Sequence, residues 1–108
     1  IRPALYGSSY EALIANRATD EATSIVTIVG KYCESGDILV RDIKMPPISA
    51  GDILAIPVSG AYCLSMSSNY NMALQPAVVL VDDGASRIVR RRQTFQDLIA
   101  AEKAALIR

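Results

Sequence analysis

Residues 24–40 read SIVTIVGKYCESGDILV, and this stretch decides the fold because it predicts two strands joined by a turn. Residues 24–31 are rich in β-branched side chains and contain a glycine near their end, which is typical of a buried strand. The Ser, Gly and Asp of CESGD indicate a turn, and Ile38-Leu39-Val40 predicts the next strand. The centre of the chain is therefore a strand–loop–strand unit.

Further short strands are predicted on the C-terminal side of this unit. Residues 51–58 predict one strand, and residues 77–81 and 86–92 predict the two arms of a hairpin around the Asp-Asp-Gly turn at 82–84. Residues 60–71 have no clear period, which indicates an irregular segment that either connects elements or carries function. The sequence thus predicts a mostly β domain with five or more short strands.

The C-terminal end of the chain has a clear secondary-structure signal, whereas the N-terminal end does not. Thr94 and Asp97 have the spacing of a capping box, and the sequence predicts an α-helix over residues 94–107. The apolar face of this helix comprises Phe95, Leu98, Ile99, Ala105 and Leu106. Near the other end, the apolar positions of residues 10–14 fit both a helix and an alternating strand, so periodicity alone does not decide between them.

The composition restricts the classes of function. The 108 residues fit one domain, and 11 basic and 11 acidic residues give no overall positive charge that would favour nucleic acid or an anionic membrane. No apolar run reaches the roughly 18 residues of a membrane helix. Without histidine, the chain has no Ser-His-Asp or Cys-His group and no HExxH zinc site. Two cysteines and no recognisable signal peptide predict free thiols and a cytoplasmic location.

Cys33 and Glu34 are the first candidates for chemistry. The CESGD turn places a thiol and a carboxylate side by side, where both can project towards a ligand. A thiol can act as a general acid near neutral pH or as a nucleophile. The structural alternative is that Cys33 caps a strand and Glu34 faces water, and composition alone favours this alternative.

Two further groups offer polar side chains. Tyr62 opens a segment rich in Ser, Asn and Tyr, and its phenol could pack on a flat cofactor or donate to a phosphate, although a polar loop with half-buried tyrosines is the more common alternative. Near the start, Arg2 could grip a carboxylate bidentately, and Tyr6 could add a hydrogen bond. Cys63, beside Tyr62, is predicted to be a small buried packing residue.

In their order and spacing, these stretches resemble the C-terminal part of the diaminopimelate decarboxylase family. The resemblance covers essentially the whole chain, and CESGD is its most specific mark. The similar stretches are RPALYG at 2–7, GKYCESGD at 30–37, GAY at 60–62 with SSNYN at 67–71, PAVV at 76–79, RRR at 90–92 and TFQDL at 94–98.

The resemblance implies a subunit with two domains. In this alanine-racemase-like, fold type III family, a TIM-like barrel carries pyridoxal 5'-phosphate on a lysine, and the second domain is a β-barrel or sandwich. Residues 1–8 would be the tail of the barrel, and residues 9–108 would be the C-terminal β-domain with one C-terminal α-helix. The cofactor lysine would precede residue 1, so these 108 residues are expected to be inactive alone. On the same basis, residues 10–17 are expected to be extended.

The resemblance also implies a reaction and residue roles. The family converts meso-2,6-diaminopimelate to L-lysine and CO2 in lysine biosynthesis. By resemblance, Cys33 would be the proton donor, Glu34 would bind the distal ammonium of the substrate, and Arg2 and Tyr6 would hold its distal carboxylate. Tyr62 would contact both cofactor and substrate. Family members form homodimers, in which Cys33 and Glu34 would reach into the barrel of the partner subunit.

Two other functions stay open. One is a non-catalytic β-module for dimerisation or binding, which would have little reason to retain Cys33, Glu34, Arg2 and Tyr62 together. The other is a related decarboxylase that acts on ornithine, arginine or a carboxylated polyamine. Because those substrates lack a distal carboxylate beside an ammonium, the set of Arg2, Tyr6 and Glu34 favours diaminopimelate.

Overall fold

The computed structural model describes residues 2–106, apart from the side chains of Arg2 and Ala4, as small antiparallel sheets joined by short helices. The chain divides into two compact units, one up to residue 65 and one from residue 66 onwards. The helices are α1 (Arg2–Tyr6), α2 (Gly60–Cys63), α3 (Phe95–Leu98) and α4 (Ala100–Leu106), with 3₁₀ turns at Ala15–Arg17 and Tyr70–Met72. The strands are β1 (Leu13–Ile14), β2 (Ser24–Val29), β3 (Ile38–Met45), β4 (Leu54–Ala55), β5 (Val78–Asp82) and β6 (Ala85–Arg90).

The β2–β3 pair confirms the central strand–loop–strand prediction. The strands are antiparallel, with Ser24 opposite Met45 at one end and Val29 opposite Ile38 beside the turn. A register shift after Val26 accommodates Asp42, whose φ is +51°, and the Asp42 backbone N–H donates to Thr27 Oγ1 at 3.3 Å. This is a β-bulge, and bulges bend a strand and increase its local twist.

The buried core lies in the first unit. Its four buried side chains come from β1, β2 and β3. They are Ile14, Ile28, Val40 and Met45. Burial of such side chains stabilises the fold by about 1.5–3 kcal/mol each. In the described part of the second unit, residues 66–106, no side chain reaches the same burial.

A salt bridge ties the chain beyond β1 to the segment before β4. Arg17 donates to both Asp52 carboxylate oxygens, from Nε at 3.0 Å and from Nη2 at 2.6 Å, and also to Asp20 at 2.6 Å. The Asp52 side chain is only 7% exposed. The hydrogen bond from Arg17, reinforced by the Ser49 backbone N–H, holds the pKa of Asp52 well below its usual range. The Asp52 carboxylate therefore stays charged, which maintains its salt bridge to Arg17.

Two predictions in this region were too long. Residues 10–17 were expected to be extended, but pairing is confined to Leu13–Ile14, and residues 15–17 form a 3₁₀ turn. The strand predicted at 51–58 is reduced to Leu54–Ala55. Gly51 at φ +96° and Val58 at φ +53° turn the backbone away from extended geometry on either side of this strand.

The β5–β6 pair confirms the predicted hairpin. Asp82 pairs with Ala85, so that only Asp83 and Gly84 form the turn. Their φ values of +44° and +74° are both positive, as a two-residue type I′ turn requires. Asp-Gly is a preferred sequence for such turns, because its backbone twist matches that of the strands.

The C-terminal helix begins where the sequence predicts but is interrupted. Thr94 Oγ1 accepts from the Asp97 backbone N–H, and the Asp97 side chain accepts from the Thr94 backbone N–H, which confirms the capping box. Ile99, at φ −101° and ψ +15°, then separates α3 from α4. Residue 107 lies outside the described residues.

Across residues 2–106, no helix combines the length and apolarity needed to cross a bilayer.

Candidate functional site

The loop at residues 30–37 holds the thiol and carboxylate that the sequence singled out. Cys33, whose thiol is not in a disulfide, and Glu34 are both exposed. The loop is closed by main-chain bonds, from Gly30 N–H to Asp37 O at 2.8 Å and from Asp37 N–H to Glu34 O at 3.0 Å. Its base is therefore fixed by β2 and β3, while Cys33 and Glu34 stand at its outer end.

Within this loop, Glu34 also supports the local backbone. Its Oε1 accepts the Gly36 N–H at 3.0 Å, and the Ile38 N–H donates to Gly36 O at 2.8 Å. The Glu34 carboxylate therefore has one oxygen directed to the loop backbone. The alternative in which Glu34 merely faces water is thus incomplete, because Glu34 organises the turn that presents Cys33.

Tyr62 lies on α2, a single short helical turn in the same unit. Its side chain is 54% exposed. Ser59 Oγ donates to Ile56 O at 3.0 Å before the helix, and Ser65 Oγ donates to Tyr62 O at 3.2 Å after it, so hydroxyls satisfy carbonyls at both ends. Segment 60–71, which has no clear period in its sequence, therefore contains a defined helical turn that presents a phenol ring.

The prediction that Cys63 is buried was wrong. Cys63 is an exposed free thiol. Its Sγ lies 3.9 Å from the hydroxyl of Tyr10, which joins α2 to the chain before β1. Because α2 is only four residues long, a residue beside Tyr62 does not reach the core formed by β1, β2 and β3.

The third predicted group lies at the start of the chain. Tyr6 ends α1 and is 64% exposed, and the helix closes with the Gly7 N–H donating to Pro3 O at 3.0 Å. Arg2 belongs to α1 by its backbone, but its side chain lies outside the described residues. The structure therefore places the Tyr6 phenol at the surface.

In the second unit, a cluster of side-chain amides organises the polar loop that contains SSNYN. Asn69 Nδ2 donates to Gln93 Oε1 at 2.6 Å and to Ala73 O at 2.8 Å, and Gln93 Oε1 also accepts the Gln75 N–H at 3.0 Å. Asn71 stands at φ +53° within this loop. Gln75 and Gln93 were not singled out by the sequence, and their spacing of 18 residues gives no local signal of the contact.

Two open cavities lie in the first unit. One, of about 600 Å³, lies against α1 and β3, and the other, of about 460 Å³, is lined by residues 8–11 with Pro57 and Val58. Neither is lined by Cys33, Glu34 or Tyr62. Ser8 contributes to both cavities, and its hydroxyl is buried without a hydrogen-bond partner. Among residues 2–106, no cluster of three or more His, Cys, Asp or Glu could hold a metal ion.

Comparison with known proteins identifies relatives of this chain. Residues 1–60 match the family model described as the C-terminal sheet domain of pyridoxal-dependent decarboxylases. Diaminopimelate decarboxylase from Synechocystis is 48% identical over 98 residues, which are 91% of this chain and 21% of that protein. The Bacillus subtilis enzyme of the same name is 48% identical over 99 residues, which are 92% of this chain and 23% of that protein.

Solved structures show the same similarity in three dimensions. The diaminopimelate decarboxylase from M. jannaschii in complex with L-lysine superposes with a TM-score of 0.85 at 36% identity, covering 94% of this chain and 23% of that one. The Helicobacter pylori enzyme, also complexed with L-lysine, gives a TM-score of 0.85 at 32% identity, covering 96% and 25%. The chain thus spans between a fifth and a quarter of the length of these relatives.

Proposed function

Because this chain belongs to the pyridoxal-dependent decarboxylase family and matches its C-terminal sheet domain, we propose that it is part of a diaminopimelate decarboxylase. The complete enzyme would convert meso-2,6-diaminopimelate to L-lysine and CO2. The observation that carries the proposal is the loop at 30–37, which presents Cys33 and Glu34 together on a hydrogen-bonded base. Relatives that are 46–48% identical over more than nine tenths of this chain bear the enzyme's name.

The proposed architecture extends beyond these residues. Residues 1–8 form the end of a TIM-like barrel, and residues 9–108 form the β-domain attached to it. The three small sheets would be parts of a larger β-barrel or sandwich. Support for this comes from the length of the relatives, of which the chain spans at most about a quarter.

The described residues fit the edge of a pyridoxal 5'-phosphate site. Tyr62 offers an exposed aromatic ring with a polar tip, and a Cβ added at nearby Gly60 would meet no atom within 4 Å, so a planar ligand can approach this turn. The cofactor, when bound to a lysine of the barrel, supplies the electron sink for the carbanion that remains after CO2 leaves. Tyr62 would orient the cofactor and substrate by contact with both.

Cys33 is the proposed proton donor. When CO2 leaves, the carbon–carbon bond to the carboxyl group breaks, and its electron pair stays on the carbon of the D-configured centre. The proton on Cys33 Sγ moves to that carbon and completes a C–H bond, and the resulting thiolate recovers a proton from solvent. A thiol at the exposed end of a loop can approach a substrate held on another surface, which buried Cys residues cannot do.

Glu34, Arg2 and Tyr6 would recognise the distal end of the substrate. Diaminopimelate carries an ammonium and a carboxylate there, so recognition requires an anion and a hydrogen-bond donor or cation. Glu34 would bind the ammonium, while Arg2 and Tyr6 would hold the carboxylate. This complementary charge set selects diaminopimelate over basic amino acids that lack a distal carboxylate.

Cys33 and Glu34 would act in the barrel of the partner subunit of a homodimer. The supporting observation is that both residues are exposed. Cys33 and Cys63 form no disulfide, which suits a reducing compartment, and we assign the enzyme to the cytoplasm.

Matched variants of the complete enzyme test the residue assignments. Cys33→Ala and Glu34→Gln are compared with Cys63→Ala and Glu21→Gln, which change an exposed thiol and an exposed carboxylate elsewhere in the first unit. Loss of the general acid should lower kcat by about 10²- to 10⁴-fold. Glu34→Gln should weaken transition-state binding by about 2–5 kcal/mol, the range for breaking a buried charge pair. Wild-type kcat/KM in both test variants would reject the proposal.

Subunit mixing tests the shared site. Cys33→Ala is combined with a second inactive variant that lacks the cofactor lysine of the barrel. A mixed dimer would contain one site that lacks both groups and one that keeps both, so random reassortment should restore roughly a quarter of wild-type activity. If subunits exchange and the mixture stays inactive, Cys33 acts within its own subunit.

A further inference from the structure

Asp37 is a charged residue that is buried as a whole, backbone and side chain together, with 9% of its surface exposed. It closes the loop at 30–37 from the inside. One carboxylate oxygen accepts the Tyr32 backbone N–H at 3.0 Å, immediately before Cys33. The Asp37 main chain bonds in addition to Gly30 and Glu34. A buried carboxylate is costly unless it is hydrogen-bonded, so its position here requires a reason.

Gly30 provides the space that Asp37 occupies. A Cβ built on Gly30 would fall within the Asp37 carboxylate group. The φ of Gly30 is not in the left-handed region, so the glycine is required for room rather than for an unusual backbone conformation. Gly30 and Asp37 therefore form one packing unit, at the point where β2 ends and β3 begins.

From this geometry we infer that Asp37 is a positioning residue for Cys33 and Glu34. It acts through its hydrogen bond from the Tyr32 N–H, and its carboxylate occupies the space left by the missing side chain of Gly30. The inference rests on the proposed function for the roles of Cys33 and Glu34. Asp37 is buried while Cys33 and Glu34 are exposed, so its carboxylate is assigned no contact with the substrate. Without the Asp37 carboxylate, its hydrogen bond from the Tyr32 N–H is lost, and the backbone that carries the thiol is less firmly held.

The test compares four forms of the complete enzyme, namely wild type, Asp37→Ala, Asp37→Asn and Asp42→Asn. Asp42→Asn is the matched control, because it changes a carboxylate at the bulge of the same hairpin and not in the loop. Two quantities are measured: kcat and KM for meso-diaminopimelate, and the rate at which iodoacetamide alkylates Cys33, resolved from Cys63 by mass spectrometry. The second quantity does not depend on activity.

Asp37→Ala should lower kcat by about 100-fold, the loss expected when a reacting group moves by about 1 Å, with a smaller change in KM. Asp37→Asn should recover part of kcat, because an amide oxygen can still accept the Tyr32 N–H, although less strongly than a carboxylate. In both variants iodoacetamide should alkylate Cys33 faster than in wild type, and it should alkylate Cys63 at the wild-type rate. Asp42→Asn should match wild type in every measurement.

If Asp37→Ala does not fold, Asp37→Asn decides, and it should show about tenfold lower kcat together with the altered Cys33 rate. Wild-type kcat and Cys33 reactivity in the folded Asp37 variants would overturn the inference. So would equal changes at Cys33 and Cys63, since these would indicate general destabilisation. If wild-type enzyme releases no CO2 from diaminopimelate, the proposed function fails, while the alkylation rates still decide the role of Asp37.

Discussion

The β2–β3 and β5–β6 hairpins both reverse the chain, but their turns differ in length and in what holds them. Between paired Asp82 and Ala85, β5–β6 needs only two residues. Between paired Val29 and Ile38, β2–β3 inserts the eight residues 30–37 and folds a carboxylate into their centre. A short turn is determined by backbone conformation alone, whereas a longer one requires an interior of its own.

The two glycines of these turns show the same difference. Gly84 has a φ of +74° and open space around its α-carbon, so only its backbone conformation requires glycine. Gly30 has an ordinary φ, but the Asp37 carboxylate occupies the place of a side chain. Substitution at either glycine should be unfavourable, but for unrelated physical reasons that experiments can separate.

The largest expected effect comes from making the first hairpin resemble the second. Replacement of residues 31–36 by Asn-Gly in the complete enzyme should leave strands that can pair and should remove the proton donor. Decarboxylation of diaminopimelate, measured as CO2 release, should fall by about 10²- to 10⁴-fold or more. Asp83→Asn, which keeps a type I′ sequence in the other hairpin, serves as the control. A shortened loop that retains activity would show that this turn carries no chemistry.

Gly30→Ala should give a smaller effect, on stability. The added methyl group would displace the Asp37 carboxylate and cost about 1–3 kcal/mol, as overpacking does in other interiors. In the Asp37→Ala background the conflict disappears, so the same change should cost much less. Denaturant unfolding of the four proteins of this double-mutant cycle measures the coupling. Additive costs would mean that Gly30 and Asp37 do not share one space.

Gly84→Ala should destabilise by about 1–2 kcal/mol, the cost of a left-handed conformation for a residue with a Cβ. This cost should simply add to that of Asp37→Ala, and kcat should stay at the wild-type value. Gly84→Asn should cost less, because Asn tolerates this conformation better. Coupling between Gly84 and Asp37 in unfolding experiments would contradict the separation of the two hairpins.

The smallest effect concerns the end of the second hairpin. Arg91, directly after β6, donates to both oxygens of Asp97 at 2.6 Å, and these bonds, with those from Thr94, hold the pKa of Asp97 well below its usual range. A lowered pKa contributes stability that is present above the unfolded value of about 3.8 and is lost as the pH falls towards the folded value. The protection of the amides of residues 94–98 against hydrogen exchange, relative to the intrinsic exchange rate at each pH, should therefore fall below about pH 4. Asp97→Asn should flatten this dependence, and an unchanged profile would reject the explanation.

The parts of the fold that the sequence predicts correctly depend on local signals. The Asp-Gly turn, the β-branched run of β2 and the Thr94–Asp97 capping box each act over a few residues. The strand at 51–58 was overestimated because its length depends on pairing with Leu13–Ile14, about forty residues earlier. The interruption at Ile99 likewise leaves no mark in the apolar spacing of the helix.

The candidate site shows the same limit. The CESGD motif identifies the loop, and the family resemblance assigns Cys33 and Glu34. Nothing in the amino-acid sequence shows that Asp37 is buried while Glu34 is exposed. That distinction depends on the space above Gly30, which exists only once β2 and β3 have paired.

The β5–β6 ribbon has a practical consequence for handling the protein. Val79, Leu80, Val81 and Ile88 are all exposed, and among the described strands none pairs with the outer edge of either β5 or β6. Open edges with apolar side chains recruit strands from other molecules and begin aggregation. The arginines at positions 87 and 90–92 oppose this process, since like charges repel approaching copies. When this chain is produced by itself, high salt should therefore promote its association by screening those charges.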